Sequence, residues 1–457
     1  MTASAPAREF ADALLWTATA AYAAILFGLG YVRYAAHRNF VDLGIFAQTA
    51  ASAFGCFCNT VEGSHWAVHF SPVLYAAGAL LAVWPSALAL VALGALAGSL
   101  TIPPVYALVR RYADRRTARL AALIVFLYPP LAGAIFNDFH ENSLAPAAVA
   151  WLAWAFDGGY ALATAVFAAA VLAVKEDQAV FLSIAGALGF LRYRGSRPRG
   201  PLAAALALVS LAVLLGFFLE IQPAAAHHAH WMPSRFYAWT AADSAALFPA
   251  GIAQRAGFLL LAFAPLLFLP MRTRAGWLLA APLAEVLLSR DSTTFTIGSH
   301  YAGAWCGYAF VALAYAVRRI YADSEQRAVR MLAACAVLCV LEFAVADPLH
   351  PGALLRPPSA RDARLEKAIA LLPRAASIAT QEEAYTHLAA TDPNAAILPE
   401  TPNGRIDACF VLTDEEYAQS PRLVESAPLL QNLIRNGTYR IADRSGSITL
   451  YKKKNCR

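Results

Sequence analysis

Clusters of ionisable residues stand out in an otherwise apolar chain, because they fall in short stretches between hydrophobic runs. One such stretch is Lys175-Glu176-Asp177, and Lys175 is the only lysine in residues 1–346. Charges at a membrane boundary cost free energy unless they are paired or hydrated. Lys175 is therefore either an interface cap held in a local ion pair or a cation that meets an anionic lipid head group.

Four further polar stretches lie between apolar runs, and carboxylates and histidines dominate them. Carboxylates can act as general bases or metal ligands, and histidine can do either. Asp42 or Asp138 alone could be a solvated loop carboxylate. Their shared side in the predicted topology favours a functional set, and we expect both to converge with Lys175–Asp177 on one outward-facing cavity. The four stretches are Asn39–Gln48 with Asp42, Ser64–Pro72 with His65 and His69, Phe136–Asn142 with Asp138, His140 and Glu141, and Ser289–Tyr301 with Arg290, Asp291 and His300.

Composition and charge distribution divide the chain into two parts. Of its 457 residues, 59% are hydrophobic and 14% are charged, and the mean hydropathy is +0.50. These values fit a polytopic membrane protein and exclude a disordered chain. Residues 347–457 hold 27 of the 66 charged residues. We therefore predict a membrane part, 1–346, followed by a soluble domain, 347–457. The basic residues sit in short loops, so the net charge of +6 does not indicate nucleic-acid binding.

Eleven apolar runs predict a bundle of about eleven transmembrane helices. The first, 13–32, is long enough to cross a bilayer and lacks the cleavage site of a signal peptide. Several later runs are short, and we expect neighbouring helices to shield them. The others lie near 86–109, 119–136, 143–156, 160–174, 178–191, 201–220, 256–270, 277–289, 302–317 and 329–346.

The positive charges orient this bundle. Alternate loops carry 16 arginines on one side of the membrane part, against 6 arginines and lysines on the other. The positive-inside rule makes the richer side cytoplasmic. The N-terminus is then inside, and the long first loop, 33–85, and the C-terminal domain are extracytoplasmic, in a multi-pass cytoplasmic-membrane protein. We expect Ser71–Trp84 to form a helix at the outer interface, because counting it as a membrane-spanning helix would place a five-arginine loop outside.

Three other features leave alternatives open. The histidines His227, His228 and His230 either bind metal or sit in water. Glu285 and Glu342 lie inside apolar runs and form either helix contacts or a buried site. Among the cysteines, Cys56 and Cys58 are too close to favour a mutual disulfide, whereas a Cys409–Cys456 bridge could form.

The sequence pattern of the C-terminal domain predicts a small α/β fold. A helical pattern covers Ala363–Leu372 and most of Glu415–Ile434. Short strands are predicted at Ser377–Thr380, Ala396–Leu398 and Ala408–Leu412, followed by a hairpin of Thr438–Ala442 and Ser447–Tyr451. The domain holds no GxGxxG or P-loop motif, which favours binding or packing over independent catalysis.

The order of five short motifs resembles an uncharacterised bacterial and archaeal family of membrane proteins that is similar to the GT-C glycosyltransferases. The motifs are Asp42-Leu43-Gly44-Ile45-Phe46-x-Gln48, His69-Phe70-Ser71-Pro72, Asp138-Phe139-His140, Lys175-Glu176-Asp177 and His300-Tyr301. This resemblance implies a helix bundle whose long first outer loop carries an acidic residue, with a second acid in the next outer loop. The chain departs from the best-studied branches, since Val41-Asp42-Leu43 stands where those have paired acids.

The resemblance also implies roles for individual residues. Asp42 and Asp138 would be catalytic, with Asp42 as the general base. A divalent metal, Mg²⁺ or Mn²⁺, could bind at Asp42, Asp138 or His140. The partners implied are the lipid bilayer and a polyprenyl-phosphate-linked sugar. The substrate-binding residues would be Gln48, His69, His140, Glu141, Lys175, Glu176, Asp177, His300 and Tyr301.

Two functions follow from these observations. The first is an integral-membrane glycosyltransferase of the cell envelope that moves a sugar from a polyprenyl-phosphate donor to an acceptor on the outer face. The second is a transporter or lipid-handling protein without transfer chemistry. A transporter is expected to have repeated halves and polar residues near mid-membrane. The polar set lies instead at one boundary, which favours the transferase.

Overall fold

The computed structural model describes residues 9–226, 236–237, 239–240, 250–350, 354–373, 376–399, 404–417 and 421–456. The chain is mainly helical and divides into two compact units. The first contains Met1–Phe27, Trp66–Val73 and Ala92–His350, and the second contains Gly28–His65, Leu74–Val91 and Pro351–Arg457. The second unit thus contains both the C-terminal domain and most of the predicted first outer loop. The predicted boundary between residues 346 and 347 had placed these two segments in separate domains.

Helices fill most of the chain up to residue 350. Between them lie 3₁₀ turns at His65–Ala67, Glu141–Leu144, Leu269–Arg272, Arg274–Leu279 and Ser292–Phe295, and a π-helical turn at Phe217–Ile221. The helices are α1 (Ala13–Ala35), α2 (Val41–Ala51), α3 (Val73–Val83), α4 (Leu88–Ser99), α5 (Ile102–Arg110), α6 (Arg115–Leu127), α7 (Pro129–Phe136), α8 (Ala145–Gly158), α9 (Ala161–Leu172), α10 (Glu176–Tyr193), α11 (Arg199–Gly216), α12 (Gln222–Ala225), α13 (Ile252–Phe263), α14 (Ala280–Leu288), α15 (Ala302–Asp323) and α16 (Glu325–Ala346).

Each of the eleven predicted apolar runs contains helix, which confirms the helical bundle. In the described part of the chain, four helical segments are long and apolar enough to cross a membrane: Ala13–Ala35, Leu88–Arg110, Arg199–Ala225 and Glu325–Ala346. A fifth arises if α6 and α7, bent by 43°, form one span. Pro129 and Pro130 begin α7 and explain the bend, because proline cannot continue the preceding helix. The number of crossings stays a prediction.

Small residues let α15 pack closely against the start of α8 in the first unit. A side chain at Gly303 would collide with the backbone of Asn142, and one at Gly307 would press on Pro146. Small residues at helix contacts are typical of membrane bundles. Trp305 lies between them in sequence and is fully buried against Tyr128 and Phe263. This packing fixes the turn before α8, which carries His140 and Glu141.

The second unit contains a mixed five-stranded sheet. The strands are β3 (Ile378–Thr380), β4 (Ala395–Ile397), β5 (Phe410–Asp414), β6 (Tyr439–Ser445) and β7 (Ile448–Lys453), in the order β4-β3-β5-β7-β6. β3 pairs in parallel with β4 and β5, whereas β7 pairs antiparallel with β5 and β6. Its helices are α17 (Ala360–Ala370), α18 (Glu382–Leu388) and α19 (Pro421–Arg435), with a 3₁₀ turn at Glu415–Tyr417. The small α/β domain is therefore confirmed, although α18 was not predicted.

Most of the predicted first outer loop folds with this sheet domain in the second unit. It carries α2, α3 and a short hairpin of β1 (Cys58–Asn59) and β2 (Gly63–Ser64). The prediction against a Cys56–Cys58 disulfide was wrong. Phe57 adopts a left-handed backbone with φ of 49°, which turns the chain so that the two Cα atoms lie 5.2 Å apart, within disulfide range. Cys409 and Cys456 also form a disulfide, with Cα atoms 5.4 Å apart.

Candidate active site

A buried cluster of charged residues in the first unit surrounds Lys175, which immediately precedes α10. We call His69, Glu141, Lys175, Glu176 and Asp177 the lysine cluster. Lys175 has an extended backbone, so the chain turns there between α9 and α10. Glu141 begins the 3₁₀ turn that leads into α8 and is fully buried. Three connections between helices therefore bring these side chains together.

Lys175 is buried rather than extended toward solvent, since only 7% of it is exposed. Its Nζ atom lies 3.7 Å from Glu141 Oε1 and 3.9 Å from Asp177 Oδ2. These distances are long for charge-assisted hydrogen bonds, which are usually 2.7–2.9 Å. Neither Glu141 nor Asp177 accepts a hydrogen bond of normal geometry from the described residues. The local ion pair exists, but it leaves bonding capacity on both carboxylates.

His69 holds the third carboxylate of the cluster. Its Nδ1 atom lies 2.9 Å from Glu176 Oε1, and the Phe70 backbone N–H donates to Glu176 Oε2 at 2.9 Å. The cluster thus contains two environments, because Glu176 is well bonded while Glu141 and Asp177 are not. The motifs His69-Phe70 and Lys175-Glu176-Asp177, distant in sequence, meet in this pair.

Histidines form a second layer beside the cluster. The rings of His140 and His300 stack with centroids 4.0 Å apart, and His300 Nδ1 lies 3.3 Å from Asn137 Oδ1. His140 Nδ1 lies 3.0 Å from Glu141 Oε2. Tyr301 packs on His300 with ring centroids 4.2 Å apart. The predicted residues of the first unit, apart from Asp138, are therefore linked by these contacts.

Burial and neighbouring charges shift the protonation of this cluster. Burial raises the pKa of Glu141 to about 8 and that of Asp177 to about 6, despite the opposing effect of Lys175. Burial would also raise the pKa of Glu176, but the neighbouring His69 outweighs it, and this pKa falls to about 2. Burial lowers the pKa of His300 to about 3. Burial thus pushes Glu141 toward its protonated form, whereas His69 keeps Glu176 ionised.

The two predicted catalytic aspartates lie in different units. Asp138 is 4% exposed, in the turn between α7 and the 3₁₀ segment of the first unit. Asp42 is half-buried in the first turn of α2, in the second unit. A carboxylate in the first turn of a helix is stabilised by the helix dipole. The predicted convergence of Asp42 and Asp138 stays a prediction.

Gln48 makes structural contacts within the second unit. Its Nε2 donates to the backbone oxygens of Asp392 and Ala395 at 3.2 and 3.0 Å, and its Oε1 accepts from Tyr385 Oη at 2.9 Å. Gly44 lies one turn earlier on the same face, and a side chain there would collide with the Tyr385 ring. Part of the Asp42–Gln48 motif thus holds α2 against the sheet domain. The predicted substrate contact of Gln48 stays a prediction.

Sequence reasoning selected neither Gln178 nor Tyr308, although both support the cluster. Tyr308 Oη donates to Gln178 Oε1 at 3.1 Å, and Gln178 Nε2 donates to the Ala304 carbonyl at 3.4 Å. These bonds tie α10 to α15 directly below Asp177. The available signal was the position of Gln178, one residue after the Lys175–Asp177 motif.

Two glutamates inside apolar runs and three histidines were also candidates. Glu285 on α14 interacts electrostatically with Asp177 and Lys175, so it borders the cluster. Glu342 is buried in α16. The histidines at 227, 228 and 230 lie outside the described residues.

Solved structures of two transferases share this fold. ArnT from Cupriavidus metallidurans bound to undecaprenyl phosphate matches with a TM-score of 0.57 and 12% identity, covering 96% of this chain and 98% of that chain. Its apo state matches with a TM-score of 0.56 and 14% identity over 95% and 97% of the two chains. The apo oligosaccharyltransferase of Archaeoglobus fulgidus matches with a TM-score of 0.50 and 12% identity over 89% of this chain and 70% of that chain.

A family comparison accounts for nearly the whole chain. A sequence comparison with curated proteins gives no match. The family model described as "Predicted membrane protein (DUF2079)" matches residues 38–449. The predicted resemblance to an uncharacterised membrane family of GT-C type is confirmed by this match together with the structural likeness. The chain therefore belongs to the DUF2079 family of predicted membrane proteins and has a GT-C-like fold.

Proposed function

We propose that this protein is an integral-membrane glycosyltransferase that moves a sugar from a polyprenyl-phosphate donor to an acceptor hydroxyl. The lysine cluster carries the proposal, because it buries a cation among carboxylates that retain unused bonding capacity. Buried polar groups are normally satisfied, and unsatisfied ones with shifted pKa values are enriched at functional sites. The likeness to ArnT bound to undecaprenyl phosphate supports a lipid phosphate as the ligand class.

The chemistry requires a base and a stabiliser of the leaving group. The acceptor oxygen attacks the anomeric carbon while its proton passes to the Asp42 carboxylate. The bond from that carbon to the phosphate oxygen breaks, and the lipid phosphate leaves with the electron pair. Lys175 supplies a fixed positive charge for the departing phosphate, an interaction that strengthens as negative charge develops. Asp138 orients the acceptor.

A divalent metal is a further proposed component. His140 Nδ1 and Glu141 Oε2 lie 3.0 Å apart in the turn that also carries Asp138. This mixed nitrogen and oxygen donor set suits Mn²⁺ better than Mg²⁺, which prefers oxygen ligands. When bound, such an ion would neutralise charge on the departing phosphate.

We propose that the transfer takes place on the outer face of the cytoplasmic membrane. The Cys56–Cys58 and Cys409–Cys456 disulfides support this orientation, because disulfides persist in oxidising compartments. Both lie in the second unit, which contains the first loop and the C-terminal domain that the arginine distribution also places outside.

Incubation of the purified protein with polyprenyl-phosphate sugars and cell-envelope acceptors, followed by product identification, tests the activity. Asp42→Asn is expected to lower the transfer rate by about 10²–10⁴-fold, since Asn cannot accept the proton. The matched control is Asp291→Asn. Asp291 caps the Ser292–Phe295 turn, and Asn is an equally good cap, so its transfer rate should match the wild type.

The two possible failures have different meanings. No transfer with any lipid-linked sugar, in protein that is folded and inserted, would contradict the transferase. Near-wild-type turnover of Asp42→Asn would remove Asp42 from the mechanism and leave Asp138 or Glu176 as the base.

A further inference from the structure

Two histidines and a glutamate meet in the second unit, apart from the residues proposed for transfer. His37 follows the end of α1 with a left-handed backbone, φ 50°. Glu366 lies on α17 and His387 on α18. Both histidine side chains are buried, with 0% and 3% exposed, whereas that of Glu366 is 50% exposed. Neither the general base nor the phosphate contact of the proposed reaction uses them.

One carboxylate oxygen faces a nitrogen from each histidine. Glu366 Oε1 lies 3.2 Å from His37 Nε2 and 2.5 Å from His387 Nδ1. The three candidate ligand atoms all lie within 4.8 Å of one another. Tetrahedral zinc with bonds of about 2.0–2.1 Å separates its ligands by roughly 3.3 Å. The His37 distance already fits, but the two imidazole rings stack nearly parallel, so one ring must turn, together with the half-exposed Glu366 carboxyl, to bind a single ion.

The second nitrogen of each ring lies near an oxygen atom, and that of His387 is within hydrogen-bond range. His387 Nε2 lies 3.2 Å from the Tyr34 carbonyl oxygen, and His37 Nδ1 lies 3.6 Å from Asp362 Oδ1. Asp362 is held in place by Ser359, whose N–H and hydroxyl both donate to it at 2.7 Å. Histidines that bind metals typically donate their other N–H to a carbonyl or carboxylate, which fixes the ring and its tautomer.

These contacts define what must lie between the three groups. A neutral imidazole has one N–H and one lone pair. With its Nε2–H bonded to the Tyr34 carbonyl, His387 points its Nδ1 lone pair toward Glu366 Oε1. This lone pair can lie 2.5 Å from a carboxylate oxygen only with a proton or a cation between the two atoms. The two rings also stack at 4.0 Å, an unfavourable spacing for two positively charged imidazolium ions.

We propose that His37, Glu366 and His387 bind one divalent zinc ion, with water as the fourth ligand. Two imidazoles and one carboxylate suit Zn²⁺, and the exposed side of Glu366 gives the ion access from solvent. The ion would clamp the end of α1 to α17 and α18. This role is structural and independent of the transferase proposal.

Metal binding to the full-length protein, purified in detergent with a tag that contains no histidine, tests the site. The protein is mixed with Zn²⁺, freed of excess ion, and assayed for zinc per chain, with the affinity measured against a chromogenic chelator. We expect one zinc per chain. Glu366→Gln should weaken zinc binding by at least the roughly 10–100-fold typical of losing a supporting residue. The matched control, Glu425→Gln, changes an exposed glutamate of the same domain and should bind zinc as the wild type does.

X-ray absorption at the zinc edge provides a second measurement that does not depend on a variant. The expected first shell contains nitrogen and oxygen, with two imidazoles. Zinc-free wild type, or equal affinity in the wild type and Glu366→Gln, would show that the cluster holds a proton only. A first shell containing sulfur would place the ion elsewhere and overturn the assignment.

Discussion

Two buried ionic clusters of the first unit, at opposite ends of α8, differ in how completely their charges are satisfied. The lysine cluster adjoins the turn that precedes α8, and a second cluster includes Asp157 near its C-terminus. We call Glu9, Arg111, Tyr112, Trp154 and Asp157 the arginine network. The 14 residues of α8 separate the two by roughly 20 Å.

The arginine network is closely bonded. Arg111 donates to both Glu9 oxygens at 2.9 and 3.0 Å and to Asp157 Oδ2 at 2.8 Å. Trp154 Nε1 donates to Glu9 Oε2, and Tyr112 Oη donates to Asp157 Oδ2, each at 2.7 Å. Such bidentate arginine–carboxylate geometry fixes side chains without leaving capacity for a ligand.

The lysine cluster has the opposite character. Lys175 lies 3.7–3.9 Å from its carboxylates, and the oxygens of Glu141 and Asp177 accept no normal hydrogen bond from the described residues. Both clusters bury charge, so burial alone does not identify a functional site. The unused bonding capacity is what distinguishes the end that we propose to bind substrate.

The largest expected effect comes from breaking the arginine network. Arg111→Met leaves Glu9 and Asp157 buried without their cation, and removing one partner of a buried ion pair costs about 3–5 kcal/mol. The free energy of unfolding in detergent measures this loss. Arg116→Met, which alters an exposed arginine in the first turn of α6, should change it by less than about 0.5 kcal/mol. An equally small effect of Arg111→Met would show that the network is not a structural tie.

The pH dependence of protein stability should report the protonation of Glu141 in the lysine cluster. The pKa of Glu141 is raised to about 8, so the native state keeps a proton that the unfolded chain loses above about pH 4.5. That contribution to stability is complete below pH 4.5 and is lost as the pH rises to about 8. Glu141→Gln carries no such proton. Wild-type stability should therefore fall relative to Glu141→Gln between pH 5 and 8, by at most about 1.4 kcal/mol per pH unit, and then level off.

Thermal unfolding of both proteins across this pH range gives the comparison. Titrating groups distant from Glu141 cancel in the difference between the two proteins, whereas Asp177 and Glu176, which interact with Glu141, contribute to it. A difference that stays constant from pH 5 to 8 would mean that Glu141 is ionised in the native state.

A labelling experiment sharpens the assignment of the two ends to opposite membrane faces. Thr293, in the Ser292–Phe295 turn, and Arg116, in the first turn of α6, are exposed on the predicted outer and cytoplasmic sides, respectively. In intact cells, Thr293→Cys should react with a membrane-impermeant maleimide, whereas Arg116→Cys should react only after lysis. The unaltered chain is the control, because its free cysteines are buried and its others form disulfides. The reverse pattern would invert the topology.

Periodicity and charge could be read directly from the sequence, and they predicted the helices and most of the small sheet domain. Contacts between distant segments could not be read in this way. Tyr385 meets Gly44 and Gln48 on α2, and His37 meets Glu366 and His387, across more than 300 residues. The Cys56–Cys58 bond depended on the left-handed backbone at Phe57, which an ordinary residue type does not signal. The lysine cluster was partly predictable because its charges interrupt apolar runs.

Binding of undecaprenyl phosphate to the purified protein tests most directly whether the lysine cluster is the ligand-binding end. Lys175→Ala is compared with the wild type and with Arg116→Ala, which removes a positive charge near the arginine network. Loss of a charge-assisted contact worth about 1.5–3 kcal/mol should weaken binding by roughly 10–100-fold in Lys175→Ala only. Equal affinity in all three proteins would contradict the assignment of Lys175 to the lipid phosphate.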